Sequence, residues 1–159
     1  MQDRSEEALP LLLDGFRAFR ATGAELRVPS YLSMLGEAYT KSGRFEDAHK
    51  SLKEGLETAE KNDDRCHEAE LHRLMGELLL TQSQDQAAED CFRKAVETAQ
   101  RQRSKGWELR AIMSLARLWQ RQGHLDNARA ALSSAYACFT EGFSAPDLHE
   151  AEALLAALA

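Results

Sequence analysis

The residue types that can ligate a metal crowd together once, in Cys66-His67-Glu68, with Glu70 and His72 close behind. Zinc held by a helix needs ligands on a common side, typically three or four residues apart. His67 and His72 are five apart and diverge by well over a quarter turn. The segment therefore reads as unconnected polar or packing residues, with adventitious metal binding as the lesser alternative. No metal and no other cofactor is expected. His49, His124 and His149 are isolated and read as exposed or locally capped. Cys91 and Cys138 fall in or beside packed helix faces and read as small buried hydrophobes rather than a redox switch.

The carboxylates name no acid–base pair. Glu57 and Glu60, or Glu46 and Asp47, lie beside Lys53 and Lys61, where they solvate and pair on helix surfaces. A catalytic constellation needs a pocket with groups in mutual reach, and the sequence identifies none. Enzyme activity is the minor alternative, and no catalytic residue is assigned.

Composition predicts the elements that position these side chains. Leu, Ala, Glu, Gln and Arg dominate, with only 3 Pro and with Ile112 as the single isoleucine, which favours helix and disfavours strand. Helices are expected near 5–22, 29–42, 45–61, 65–82, 85–102, 106–122, 125–140 and 146–158. Pro29 and Pro146 sit where a first-turn proline is tolerated. Asn62-Asp63-Asp64 and Ser104 offer cap-type residues before the fourth and sixth helices. The 43% hydrophobic and 29% charged residues describe an ordinary globular chain. A formal charge of −6 gives no general attraction to nucleic acid or anionic membrane. The longest apolar runs, such as Leu78-Leu79-Leu80, fall far short of the roughly 20 residues that cross a bilayer. The first ten residues, MQDRSEEALP, are too acidic and polar for a secretory signal. Three cysteines without close spacing argue against a disulfide scaffold and for a reducing cytoplasm.

The strongest signal is internal repetition. Segments 35–56, 75–96 and 115–136 align at an offset of 40 residues without a gap. One column holds Gly36, Gly76 and Ala116, and three residues on come Tyr39, Leu79 and Trp119. After a turn containing Gly43, Ser83 and Gly123, further columns hold Ala48, Ala88 and Ala128, then Leu52, Phe92 and Leu132. Small residues let two helices approach while large ones fill the space between. Gly43 and Gly123 suit a left-handed helix end. Ser83, with Asp85 where the other turns have Phe45 and Leu125, predicts an irregular middle turn. Moving back another 40 places lands on Ala8, Leu12 and Gly15, so residues 1–26 read as the second half of a broken repeat. Residues 27–140 form three hairpins. Residues 141–159 form a covering helix with Leu148, Ala151, Leu154 and Leu155 on one face, seated by Phe139 and Phe143.

At these columns the chain resembles the tetratricopeptide repeat family. The likeness runs through Leu35, Gly36, Tyr39, Gly43, Phe45, Ala48 and Leu52, then Gly76, Ala88, Phe92 and Ala95, then Leu115, Gly123, Ala128 and Ala135. It implies an all-α right-handed superhelix of antiparallel hairpins, here of about eight helices. The family's period is about 34 residues; a period of 40 predicts longer connections around 60–66, 100–106 and 140–146. Residues 106–155 also resemble the C-terminal repeat region of bacterial signalling ATPases and of adenylate-cyclase-like or transcription-activator proteins, most specifically at Glu141-Gly142-Phe143 and Asp147-Leu148. No phosphate loop of the GxxxxGK[ST] type is present, so any ATPase or cyclase activity belongs to the relatives.

The family resemblance implies a concave groove lined by the first helix of each hairpin. Its candidate positions are Ser33, Glu37 and Thr40, then Glu70, Arg73, Glu77 and Thr81, then Arg110, Met113, Arg117, Gln120 and Arg121, all taken to point away from the core. The face begins acidic and becomes basic, reinforced by Arg101, Arg103 and Lys105. Arg110, Arg117 and Arg121 are read either as a ladder clamping an acidic peptide or carboxylate terminus, or as surface arginines paired with Glu77 or Glu108. The expected function is a non-enzymatic protein–protein interaction module. Nucleic acid is a lesser partner for the basic patch. Self-association through Leu9, Leu11, Leu12 and Phe16 of the first helix is the remaining alternative. Trp107 is expected to pack over the connection between repeats, and Trp119 to be structural.

Overall fold

A computed structural model describes the backbone of residues 2–159 and the side chains from Leu9 onward. Among them are eight α-helices: α1 (Gln2–Ala21), α2 (Val28–Lys41), α3 (Phe45–Lys61), α4 (Glu68–Thr81), α5 (Asp85–Arg101), α6 (Lys105–Arg121), α7 (Leu125–Tyr136) and α8 (Pro146–Ala157). A 3-10 turn at Arg65–His67 leads into α4. The hairpins α2–α3, α4–α5 and α6–α7 stack into a superhelix, with α1 packed on α2 and α8 on α6 and α7.

The repeat columns form the core. Ala48, Leu52, Ala88, Phe92, Ala116, Ala128 and Leu132 are all completely buried. Each large side chain among them gains about 1.5–3 kcal/mol from leaving water. Gly36 and Gly76 are glycine because Leu52 and Phe92 occupy the space a Cβ would need; at Gly76 that Cβ would lie 2.5 Å from Phe92 Cε1. Ala8, which begins the same pattern on α1, has a side chain outside the described residues.

The 40-residue period comes only in part from the expected long connections. Left-handed residues recur every 20 positions, at Gly23, Gly43, Asp63, Ser83, Arg103 and Gly123, each following one helix. Connection 102–104 is as short as those within hairpins, but 62–67 is longer and carries the 3-10 turn Arg65–His67; the remaining extra length lies in the 17-residue helices α3, α5 and α6. The expected long segment after α7 forms as well, because α7 stops at Tyr136 rather than near 140.

The middle turn is as regular as its neighbours. Ser83 takes φ 59°, and the amide of Gln84 donates to Leu79 O at 3.0 Å, as Arg44 does to Tyr39 and His124 to Trp119. The expected caps are not made: neither Asp64 nor Ser104 bonds its own helix start through its side chain. Asp64 instead accepts the Arg27 amide at 2.7 Å, and Asn62 donates to Glu25 at 3.0 Å, so successive connections clip to one another.

Curvature follows from which helices touch. The inner helices α2, α4, α6 and α8 each contact the next, whereas among the described residues the backbones of the outer helices α3, α5 and α7 stay apart. The inner set therefore lines the concave side. No described helix is long and apolar enough to cross a membrane.

Candidate functional site

An inner helix within the stack is covered on three sides. α6 packs against α4, α5, α7 and α8, and Ala111–Ala116 are buried without interruption. This overturns the expectation that all groove candidates point away from the core. Met113 is 3% exposed and belongs to the core beneath α8; Ser33, Glu70 and Arg73 are also buried. Glu37, Glu77, Arg110, Arg117 and Gln120 are half-buried on the concave face. Arg121 and Thr81 are exposed at its edge, and Thr40 is half-buried there.

The buried polar residues form a network between α4 and α6. Arg73 makes a two-pronged pair with Glu70, Nε to Oε2 and Nη2 to Oε1, both at 2.8 Å. Its Nη1 reaches Glu77 and Ser114 at 3.3 Å, and the Ser114 hydroxyl donates to Glu77 at 2.6 Å. Arg110 joins from α6, 3.0 Å from Glu70 and over the Trp107 ring at 5.3 Å. Burial alone would lower the Arg73 guanidinium, but the hydrogen bond and charge of Glu70, with Glu77 and Glu37, raise it above the ordinary arginine range. Satisfied pairs of this kind fix the register of two packed helices.

Beside the network, α2 and α4 enclose a cavity of about 230 Å³. Glu37, Lys41, Arg73 and Glu77 supply its charge, and Thr40, Leu74 and Thr81 complete its wall. Lys41 bonds Glu37 at 2.7 Å. At the other end of the face, Arg117 pairs with Glu150 of α8 at 2.6 Å, both side chains roughly half exposed. Gln120 donates to Ala157 O at 3.4 Å. Arg121 makes no ion pair among the described residues. The three arginines therefore do not act as one ladder: Arg110 is held by Glu70 and Trp107, Arg117 by α8, and Arg121 faces solvent. Their partners differ from the expected Glu77 and Glu108.

Among the described residues no three His, Cys, Asp or Glu side chains gather as metal ligands. His72 is buried, and desolvation, with Lys94 and Arg101 nearby, lowers its pKa to about 4. His67 stacks at a tilt on Trp107, 5.6 Å between ring centres, so Trp107 does pack over the connection between repeats. Cys91 is half-buried, but Cys138 is exposed beyond the end of α7, contrary to its expected burial. Trp119 is half-buried, not enclosed: its indole N–H donates to Glu89 at 3.1 Å, and its ring walls an outer cavity of about 390 Å³ between α5 and α7. On α8, Leu148, Ala151 and Leu154 are buried as expected, with Leu155 half-buried. Phe139 packs against that core while Phe143 stays largely exposed.

Against this geometry, residues 29–62 match the family model described as tetratricopeptide repeat, a span that covers α2 and α3. No curated protein matches the chain. A crystal structure of BtubC (BKLC) from P. vanneervenii resembles it with a TM-score of 0.70 at 20% identity. That likeness covers 98% of this chain and 65% of the other, and it shows the helical-repeat fold.

Proposed function

We propose that this chain is a non-enzymatic protein-interaction module whose concave face receives an acidic segment of a partner protein. The observation that carries the reading is the open basic end of that face. Arg117 is held by a carboxylate that is itself half exposed, and Arg121, one helical turn on, is exposed. A guanidinium can exchange one carboxylate for another at little net cost in such a solvated site. Arg110 is left out, because Glu70 and Trp107 already occupy it. The tetratricopeptide match and the stacked inner helices support a scaffold or sensor role. The likeness of residues 106–155 to repeat regions of bacterial signalling proteins supports a cytoplasmic setting.

The test is fluorescence anisotropy with a labelled acidic peptide ending in a free carboxylate, beside a neutral peptide of equal length. Arg117→Glu with Arg121→Glu should weaken acidic-peptide binding by roughly tenfold or more. Equal affinity for both forms of the protein would sink the proposal. A second reading, self-association through α1, is supported by Leu11, which is 75% exposed on that helix.

A further inference from the structure

We propose that the outer slot between α5 and α7 binds a small organic cation, an ammonium head carried on a short apolar stem. The slot lies on the convex side, away from the face assigned to the acidic segment, and the proposal does not depend on that reading. It is a cavity of about 390 Å³ walled by α5, α6 and α7, of a size that takes a small molecule. Val96, Ile112, Leu115, Trp119 and Ala131 make its inner wall apolar. Most of the charge at its rim is already paired. Arg93 is held by Glu89 at 2.7 Å and lies over the Trp119 ring at 5.3 Å. Glu108 accepts from Gln100 at 2.9 Å and from Lys105 at 2.8 Å. Glu97 stands exposed at the same rim and makes no ion pair among the described residues.

The repeat itself indicates which chemistry suits the slot. One period earlier, a cavity of about 250 Å³ between α3 and α5 is lined by Leu56, Glu57, Glu68 and His72. These are the column mates of Val96, Glu97, Glu108 and Ile112. Lys94 of α5 lines the earlier cavity too, near enough to His72 to oppose its protonation. The chain thus provides that slot with its own cation on an aliphatic stem. In the later slot Ser134 stands in the column of Lys94, and Ile112 in that of His72. The carboxylate column persists, the lysine does not, and the cavity is larger. An ammonium group set against Glu97, with its stem along Val96, Ile112 and Ala131, repeats the arrangement of the earlier slot. An anion would instead face two carboxylates, and a wholly apolar molecule would leave Glu97 without a partner.

The probe is hexylammonium, with hexanol and hexanoate as controls, followed by NMR at the Trp119 indole N–H on the slot wall. Trp107→Phe identifies that resonance among the tryptophans of the chain. Hexylammonium should shift it saturably, with hexanol roughly threefold weaker and hexanoate weaker still. Glu97→Gln should bring hexylammonium down to the affinity of hexanol and leave hexanol unchanged. Ser134→Lys gives the later slot the lysine of the earlier one and should weaken hexylammonium by roughly tenfold. Both positions are exposed, and circular dichroism checks that each variant keeps its helices. Hexanol that binds as tightly as hexylammonium, or hexylammonium binding that ignores either variant, overturns the assignment of a cation. A Trp119 indole that stays unshifted up to tens of millimolar hexylammonium overturns the site.

Discussion

Replacing Gly76 with alanine tests the column logic where its arithmetic is firmest. The new methyl would lie 2.5 Å from Phe92 Cε1 and 2.7 Å from Cδ1, against an ordinary carbon contact of about 3.5–4 Å. Phe92 is completely buried, so the ring has nowhere to turn. Overpacking typically costs 1–3 kcal/mol, and an overlap this deep with a rigid ring belongs near ~3. Alanine in place of a helical glycine returns about 1 kcal/mol. The net loss is then about 2 kcal/mol, or roughly 6 °C in Tm for a chain of this length. Phe92→Leu alone leaves a small void and should cost about 1 kcal/mol. The double variant recreates the Ala116–Leu132 pair of the third hairpin and should come within about 1 kcal/mol of the parent, a strong favourable coupling. Urea and thermal denaturation of all four proteins provide the cycle. If the double variant loses as much as the two single losses combined, the residues are not size-matched partners and the column reading is wrong.

Three further outcomes follow from the site. Glu70→Ala leaves Arg73 and Arg110 side by side without their shared carboxylate and should cost about 3 kcal/mol, read as a lower urea midpoint. His72 has a folded-state pKa depressed to about 4 from 6.5; its stabilising contribution is therefore complete above pH 6.5 and lost as pH falls toward 4. His72→Leu, in the column of Leu32 and Ile112, should flatten the dependence of the urea midpoint between pH 7 and 4.5. Glu150→Gln withdraws the charge that holds Arg117, so the acidic peptide should bind several-fold more tightly by anisotropy, with no gain for the neutral peptide.

The sequence made the helices and their partners legible because both depend on local spacing. Ala48, Ala88 and Ala128, or Leu52, Phe92 and Leu132, recur only if each hairpin packs the same way. The length of the period was legible too, but not its location, since a longer helix and a longer connection space the columns identically. Ser83 shows a related limit: a serine gives no sign of adopting φ 59°, and only the recurrence every 20 residues makes the conformation intelligible. The groove was the least legible part. Periodicity places Glu70, Arg73 and Met113 on the side of a helix facing away from its own hairpin. It does not reveal that a neighbouring hairpin covers that side. Nor does sequence spacing show Glu150 reaching Arg117 across 33 residues.

The arrangement of inner and outer helices also governs how the molecule deforms. Because α2, α4, α6 and α8 abut one another while α3, α5 and α7 stand apart, the inner row forms the spine of a fan and the outer row its separated ribs. Bending concentrates in the slots between ribs, and one of about 390 Å³ lies between α5 and α7, beside Trp119. A wedge driven into that slot would spread the ribs and tighten the coil, bringing the charges at the two ends of the inner face closer together. The compliance of the molecule thus sits on the side opposite the surface it would adjust.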